Sequence, residues 1–482
     1  MAKDLKGFLK DLREALPREL VTIDKTVNPA KFEVTALLRH LELLGKFPVL
    51  LFDRAHDLMG READFKLITN VFATRQNCAL AMGLDPSDWK LDLSLEYSRR
   101  ESNPISPEIV EKGVAPVKEA VYTGENVDLA KLPIVRHHEK DGGPYVDMTP
   151  VMKDPDHGFY NVAFLRNQFK DVRKLGIHMS PRHNWTIFSK NEQKNLPTPI
   201  VIVVGHHPAF YLGALNVAAF GVDDYTLIGA IMDEPLRLTW SETWGEDFLV
   251  PADAEILIEG EIPPNIREVE APFGEFPGTY GPQRLRPIIE VKAITHRGDA
   301  IYQDVFVGHR ENWMLGGIPK EGSVFNAIKG VVPTVTAVHF PLSGSCRFNC
   351  YISIDKKVEG EQKQAALMAM AQCDFVKNII LVDADVDVFN EQEVMWAVAT
   401  RTQASQDVDI IRNIKANTLD PSLVHEISGS KMIIDATKPS DRPFASRVNV
   451  PEEALARIKL SEYIPEEALK EMSLFLDSVR SK

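Results

Sequence analysis

No hydrophobic run in this chain approaches the roughly 20 residues a membrane-spanning helix needs, which argues against an integral membrane protein. The N-terminal stretch MAKDLKGFLKDLREAL lacks the apolar core and small-residue cleavage site of a secretion signal. Cysteine is scarce: Cys78, Cys346, Cys350 and Cys373 are the only 4 in 482 residues, too few and too scattered for a disulfide framework. Cys346 and Cys350 lie close in sequence, but no second Cys/His pair completes a zinc site. Free core thiols in a reducing cytoplasm are the expectation. Positive charge is also short, 55 Lys and Arg against 69 Asp and Glu for a net charge of −14, which argues against a nucleic-acid partner. Dinucleotide-binding GxGxxG, Walker A and GxSxG motifs are missing, as are internal repeats and low-complexity tracts.

What is present is ordinary globular composition, with 44% apolar and 26% charged residues, in a chain long enough for about two to four domains. An amphipathic helix is expected over Lys3–Leu16, with Leu5, Phe8, Leu9, Leu12 and Leu16 on one face. Strands are expected at Leu20–Asp24 and Pro48–Phe52, flanking a helix over Ala30–Leu44, and a further apolar helix at about Phe65–Met82. Residues 1–116 thus form an N-terminal α/β unit, ending in a polar, proline-containing stretch from Leu84. Residues 117–316 carry short β runs between Gly, Pro and Asp turns, among them Ile200–Val204, Glu255–Ile262, Ile288–Thr295 and Ala300–Val307, which favours a β-barrel. Residues 317–482 alternate strands and helices, giving a second α/β domain with a helical, leucine-rich tail from Pro451 to Arg480.

The most informative stretch is VEAPFGEFPGTYGPQRLRP, Val269–Pro287. Glu270 and Glu275 stand five apart, the wrong spacing for one helix face. The Gly and Pro around them predict tight turns with fixed dihedrals. Two acids on a rigid loop beside Phe273, Phe276 and Tyr280 can be pushed to different protonation states, one ionised and one a proton donor. The competing reading is two solvated surface glutamates. Arg166 ends an apolar run, Val162–Leu165; an unpaired buried charge is costly, so a carboxylate partner is expected, with Glu270 and Glu275 the candidates. Asn161 and His183, with a carboxylate, suit a hard divalent ion such as Mg or Mn, although a capped loop histidine is the plainer account of His183. His206 and His207 end a strand at a turn and either line a pocket or split between core and solvent. VDADVDVFN, Val382–Asn390, fails as a calcium loop, because Val388 and Val394 stand where glycine and glutamate are required. GIPKEGS, Gly317–Ser323, is expected just before a helix, where backbone N–H groups can meet an anion.

Together, Asn161 with Arg166, then His183, then EAPFGEFPGTYG, then IILVDADVDVFN and VMWAVATR, resemble the UbiD family of reversible (de)carboxylases that use prenylated FMN. The KMIIDAT and IILVD segments look nearest to the phenolic and heteroaromatic acid decarboxylases. The resemblance spans essentially the whole chain. It implies a flavin-reductase-like split β-barrel as the central domain and a C-terminal α/β domain that oligomerises. It also implies non-oxidative decarboxylation, or the reverse carboxylation, of an aromatic, heteroaromatic or α,β-unsaturated acid. Arg166, Glu270 and Glu275 match the family's Arg/Glu/Glu triad, with Glu275 the proton donor and Glu270 and Arg166 the pair that holds the substrate carboxylate. Asn161 and His183 match ligands of a divalent metal (Mn or Mg), with K+ a further candidate ion. Val162, Ala163, Phe164, Leu165, Arg166 and Arg182 match segments lining the prenyl-flavin, together with Asn161 and His183. Implied partners are a small carboxylic acid, CO2, a flavin prenyltransferase as cofactor supplier, and further copies of the chain.

One departure stands out. Where the family often has a third metal-ligating glutamate, the run DEPLRLTW places Arg237, leaving Glu234 or Glu242 as substitutes, or fewer protein ligands, or a direct meeting of Arg237 with the phosphate. Two other function classes compete. A glycosidase would use Glu270 and Glu275 as acid and base, but 6 tryptophans are few for stacking sugars. A non-catalytic or partner-dependent subunit of a multi-subunit carboxylase fits the altered metal segment but not the complete Arg/Glu/Glu set. Trp313, Phe325 and Leu315 are candidate pocket walls, and Asn312 and Trp313 stand where some relatives carry a substrate-facing histidine.

Overall fold

The computed structural model describes residues 3–424 and 427–471. The first helix, Leu5–Ala15, begins where Asp4 accepts a bond from the Gly7 N–H, and it buries Leu5, Phe8, Leu9 and Leu12. It packs near a four-stranded sheet of Leu20–Ile23, Val49–Phe52, Lys66–Thr69 and Ile301–Gln303. The fourth strand comes from far along the sequence and explains one error of sequence reasoning. The expected helix at Phe65–Met82 is instead a strand, Lys66–Thr69, followed by a helix, Arg75–Ala81. Lys66–Thr69 pairs on both sides, with Val49–Phe52 and with Ile301–Gln303, so two ladders outweigh local helical propensity. Asn70 then turns the chain at φ 68°, and Thr74 caps the helix. A helix at Leu91–Glu101 occupies part of the polar stretch.

The centre is a closed barrel of six strands. In ring order they are Tyr145–Lys153, Leu165–Asp171, Lys174–Ile177, Ile288–His296, Ile256–Ile262 and Thr198–Val204, the last pairing back to the first. Closure leaves no free edge. Alternation places Ile200, Ile202 and Val204 with Ile256 and Ile258 in the core.

A five-stranded sheet follows, in the order Val335–His339, Asn349–Ile354, Asn378–Asp383, Ser428–Ala436, Val408–Lys415. Its three central strands run parallel and carry long apolar stretches, as expected of strands covered on both faces. Helices Glu361–Gln372 and Glu391–Arg401 pack on it. The acidic run after Asn378–Asp383 is a strand end: Arg401 bonds Asp383 at 2.7 Å and Asp385 at 2.9 Å.

One helix, Arg310–Lys329, corrects a second expectation. GIPKEGS lies inside this helix, Pro319 included, so it presents no helix N-terminus to an anion. Its glycines are there for close approach. A Cβ on Gly316 would collide with the Arg347 guanidinium, and one on Gly322 would sit 2.6 Å from Tyr97 Cδ1. The expected division at 316/317 falls within this helix. The described part of the tail is two short α-helices, Glu452–Arg457 and Glu466–Glu471, with a 3-10 turn at Leu460–Glu462 between them, and Leu455 and Leu460 are exposed; the rest of the expected helical tail lies outside the described residues. Among the described residues no helix is long and apolar enough to cross a membrane.

Candidate active site

The stretch from Glu268 to Arg286 folds as two short hairpins. Glu268–Glu270 pairs with Arg284–Arg286, and Phe273–Gly274 pairs with Tyr280–Gly281. Between them Ala271 sits at φ 78°, a left-handed conformation that costs a non-glycine residue on the order of 1–3 kcal/mol. The surroundings hold it there: Gly142 N–H donates to Pro272 O at 2.8 Å, and Gly274 N–H donates to Asp141 Oδ1 at 2.8 Å. Glu275 directly follows the strand Phe273–Gly274, its N–H bonded to Thr279 O at 2.9 Å, with Gly278 at φ 78° closing the turn. Both acids are thus held on a rigid backbone rather than a solvated loop.

Arg166 reaches them from the barrel strand Leu165–Asp171. Its Nε and Nη2 donate to the two oxygens of Glu270 at 2.8 and 3.0 Å, a bidentate pair. Its Nη1 makes an ion pair with Glu275. The guanidinium also lies 5.0 Å from the centre of the Phe273 ring. Glu270 is 1% exposed and Glu275 8%, and of the two only Glu275 lines the cavity. The three residues named from sequence converge, with Glu270 behind and Glu275 in front.

The cavity is about 790 Å³, within the range of about 300–1,000 Å³ that encloses cofactor-sized ligands. Asn161, Val162, Ala163, Phe164, Leu165, Arg182 and His183 all line it. Asn161 is the middle residue of a short barrel-flanking strand, Tyr160–Val162, and His183 begins the helix His183–Gln193. His183 Nδ1 lies 3.1 Å from Asn161 Oδ1, and Asn161 Nδ2 donates to Asn184 Oδ1 at 2.7 Å. Burial, then the neighbouring Arg182, holds His183 below its usual range, so its ring is neutral and can offer a lone pair. Arg182 pairs with Asp374 of the C-terminal domain and stacks over Phe375 at 4.8 Å.

Several expectations fail here. Arg237 does not line the cavity; it pairs with Asp253 at 2.7 Å. Glu242 is held by Lys112 at 3.0 Å, and Glu234 accepts from Lys3 N at 2.8 Å, so neither joins Asn161. The carboxylate that does is Asp224, first residue of the helix Asp224–Met232. Its Oδ2 accepts from Val162 N–H at 2.7 Å and its Oδ1 from Asn216 Nδ2 at 2.9 Å, and burial pushes it up to about 7. His206 and His207 are both buried and neither lines the cavity: His206 stacks on Phe210, and His207 caps the helix Pro208–Ala214. Trp313, Phe325 and Leu315 are not cavity walls, whereas Asn312 is. The cluster Asp154, Asp156 and His157 lies away from the cavity, its acids tied to Lys190 and Lys194.

Sequence reasoning also missed His178, Lys320 and Arg347, which line the cavity. His178 accepts from Arg286 Nε at 3.0 Å, and burial with Arg166 and Arg286 nearby lowers it to about 2, a permanently neutral ring. Lys320 donates to Gly316 O at 2.6 Å, and burial first, with Arg347 next, lowers it to about 7. Arg347 donates to Ser345 O at 3.2 Å and to Asn312 O at 3.3 Å, so the wall carries two buried basic groups bonded to backbone carbonyls, together with unpartnered polar atoms, Asn184 Nδ2 and Asn312 Oδ1. This donor set fits a planar, anionic ring ligand such as a flavin phosphate, and Asn161, His183 and Asp224 fit a hard divalent cation.

The sequence matches the 3-octaprenyl-4-hydroxybenzoate carboxy-lyase domains over residues 11–91 (N-terminal), 108–310 (Rift-related) and 313–436 (C-terminal). It is 33% identical over 451 residues to a phenolic acid decarboxylase of Sedimentibacter hydroxybenzoicus, covering 91% of this chain and 92% of the relative. It superposes on the UbiD-class enzyme HmfF from Pelotomaculum thermopropionicum in complex with FMN with a TM-score of 0.85 and 38% identity, covering 96% of this chain and 100% of that one. An evolved dimeric form of that enzyme in complex with prFMN gives a TM-score of 0.84 and 36% identity over 96% of this chain and 100% of that one. On three matched domains and near-complete coverage, the chain belongs to the UbiD family.

Proposed function

We propose that this chain decarboxylates an aromatic, heteroaromatic or α,β-unsaturated carboxylic acid with prenylated FMN, and runs the reverse reaction at high CO2. The observation that carries this reading is the convergence of Arg166, Glu270 and Glu275 at one cofactor-sized cavity. Loss of CO2 from an sp² carbon leaves an in-plane electron pair that ring delocalisation does not reach. Prenylated FMN, when bound, supplies the electron sink for that step. The chain supplies the rest. Arg166 holds the substrate carboxylate in place, its charge partly balanced by Glu270. Glu275, at the cavity wall, delivers the proton that replaces CO2 on carbon, and takes one in the reverse direction. Asn161, His183 and Asp224 would hold a divalent metal, and Val162–Leu165 with Arg182 would line the flavin.

A glycosidase would need its two carboxyls on opposite sides of a sugar. Here both grip one guanidinium, with no subsite between them. The subunit reading drew on Arg237 in the metal segment; a cavity-lining carboxylate, Asp224, near Asn161 weighs against it.

The test is co-expression with a flavin prenyltransferase, then a visible spectrum, native mass spectrometry and CO2 release from a panel of aryl and heteroaryl acids. A bound, absorbing flavin and CO2 release that Glu275→Gln abolishes are expected. A colourless protein, or full activity in Glu275→Gln, overturns the reading.

A further inference from the structure

Behind the clamp lies a second buried ionisable cluster. Asp147, on the barrel strand Tyr145–Lys153, is the register partner of Arg166, so both side chains leave the same face of the sheet. It lines the cavity although only 2% exposed. Its Oδ2 faces His137 Nδ1 at 3.3 Å. The other nitrogen of that ring, Nε2, lies 3.0 Å from each oxygen of Asp304. All three groups are buried. His137 is therefore an imidazole between two carboxyls, one held closely through both oxygens and one more loosely.

Charge decides where the protons sit. With all three groups ionised, a dry cluster would carry a net negative charge beside Arg166, which already serves Glu270 and Glu275. One proton on a carboxyl removes that cost. The carboxyl that takes it is the loosely held one, since Asp304 has the better pairing with the imidazolium. Other charged groups face the cluster. Asp141 lies on the same loop as His137, and His138 is the next residue. Arg166 comes from the neighbouring strand. Glu311, from the long helix, faces Asp304 and accepts from the Asn70 N–H at 2.8 Å. Tyr145, on the strand of Asp147, and Tyr302, on the strand Ile301–Gln303, face the cluster too, and burial raises both hydroxyls, so neither adds charge. The electrostatics agree in direction. Burial, then Asp304 and Asp141, push Asp147 well above the carboxylate range against the pull of His137 and Arg166. Burial opposes protonation of His137, but Asp304, Asp147 and Asp141 hold it up to about 9.

We propose that His137, Asp147 and Asp304 form a positioning trio that keeps the Asp147 carboxyl uncharged opposite Arg166, reserving the guanidinium for Glu270, Glu275 and the substrate carboxylate, and that loss of this proton at alkaline pH weakens binding of the acid. The inference rests on the clamp reading above. As pH rises, Asp147 ionises and competes with the substrate for Arg166. The effect falls on KM more than on kcat, because the competition is for ground-state binding.

The test is the pH profile of the reconstituted enzyme. In the parent, KM for the acid climbs on the alkaline side. Asp147→Asn, uncharged at every pH, flattens that climb, so the alkaline-to-neutral ratio of kcat/KM rises by about tenfold or more, the factor of one pKa unit. Asp304→Asn leaves His137 to pair with Asp147 and charges it, raising KM about tenfold already at neutral pH. An unchanged alkaline limb in Asp147→Asn, or a parental neutral KM in Asp304→Asn, overturns the proposal. Should either variant not fold, infrared spectra of the parent labelled with carbon-13 aspartate decide. A protonated aspartic acid band surviving above about pH 8 is expected, and its absence overturns the proposal. That measurement needs no turnover, so it is independent of the role given to Glu275.

Discussion

Replacing Arg166 with Met keeps the aliphatic stem and removes the charge on which the site is built. The guanidinium makes two hydrogen bonds to Glu270, at 2.8 and 3.0 Å, an ion pair with Glu275, and a face contact with Phe273. Removing one partner of a buried pair costs about 3–5 kcal/mol, and the lost ring contact adds about 0.5–2 kcal/mol. Two carboxyls then face each other with no cation between them. They relieve this by sharing a proton, which returns part of the loss wherever protons are available. The native variant holds a proton the unfolded chain does not, so its stability falls as pH rises. The expected deficit is about 3.5–7 kcal/mol near pH 8, shrinking as pH falls toward about 5. Chemical denaturation at several pH values reads it, and calorimetry in buffers of different ionisation enthalpy reads the proton. Activity suffers more. A charge-assisted bond to the substrate carboxylate is worth about 1.5–3 kcal/mol, and loss of orientation adds to it, so kcat/KM falls by about a thousandfold. A variant with parental stability at pH 8 and kcat/KM within about tenfold of the parent would refute the reasoning.

Three other outcomes follow from the same geometry. Glu275→Gln keeps the shape and an acceptor but no acidic proton, so kcat falls about 10²–10⁴-fold while bound flavin, read by its visible spectrum, persists. Asp224→Asn lowers affinity for Mn2+ by about tenfold or more, followed by calorimetric titration of the flavin-loaded protein; equal affinity removes Asp224 from the metal set. Gly322→Ala drives a methyl against Tyr97 Cδ1 at 2.6 Å and the Ser98 backbone N at 3.1 Å, for a loss of about 1–3 kcal/mol by denaturation, with the cavity chemistry untouched.

The fold was legible where a short-range period decides the outcome. Leu5, Phe8, Leu9 and Leu12 repeat at helical spacing, and that helix forms within a residue or two of its expected ends. Three of the six barrel strands, Thr198–Val204, Ile256–Ile262 and Ile288–His296, coincide with apolar runs named from the sequence; the other three, which carry polar residues such as Asp147, Arg166 and Lys174, do not. Legibility failed where a distant partner decides. Lys66–Thr69 is a strand only because Ile301–Gln303 arrives beside it. Arg310–Lys329 is a helix despite Pro319 and three glycines, because residues around most of its circumference are buried, Met314, Leu315, Ile318 and Val324 among them. A helix buried on nearly every side shows no amphipathic period, and its glycines mark contact with Arg347, Cys346 and Tyr97 rather than turns.

The site shows the same division at the level of single residues. Glu270, Glu275 and Arg166 were candidates on local chemistry, acids on a stiff backbone and a guanidinium in an apolar run that must have a partner, and the family resemblance singled them out from two solvated glutamates. The third carboxylate was sought at Arg237 because a linear motif placed it there. A better signal lay a few residues earlier, in VDDYTLIGAIM. An apolar helical run needs one capping acid, and Asp223 is that cap, accepting from Tyr225 N–H at 2.9 Å. The second acid is surplus to the helix. Placed in a first turn that the apolar run buries, it must be satisfied from elsewhere or bear the cost of desolvation. Val162 N–H and Asn216 provide for it in part, at 2.7 and 2.9 Å. A carboxylate has about four lone-pair sites, and these two bonds use two of them, which leaves Asp224 with capacity for a cation beside Asn161 and His183.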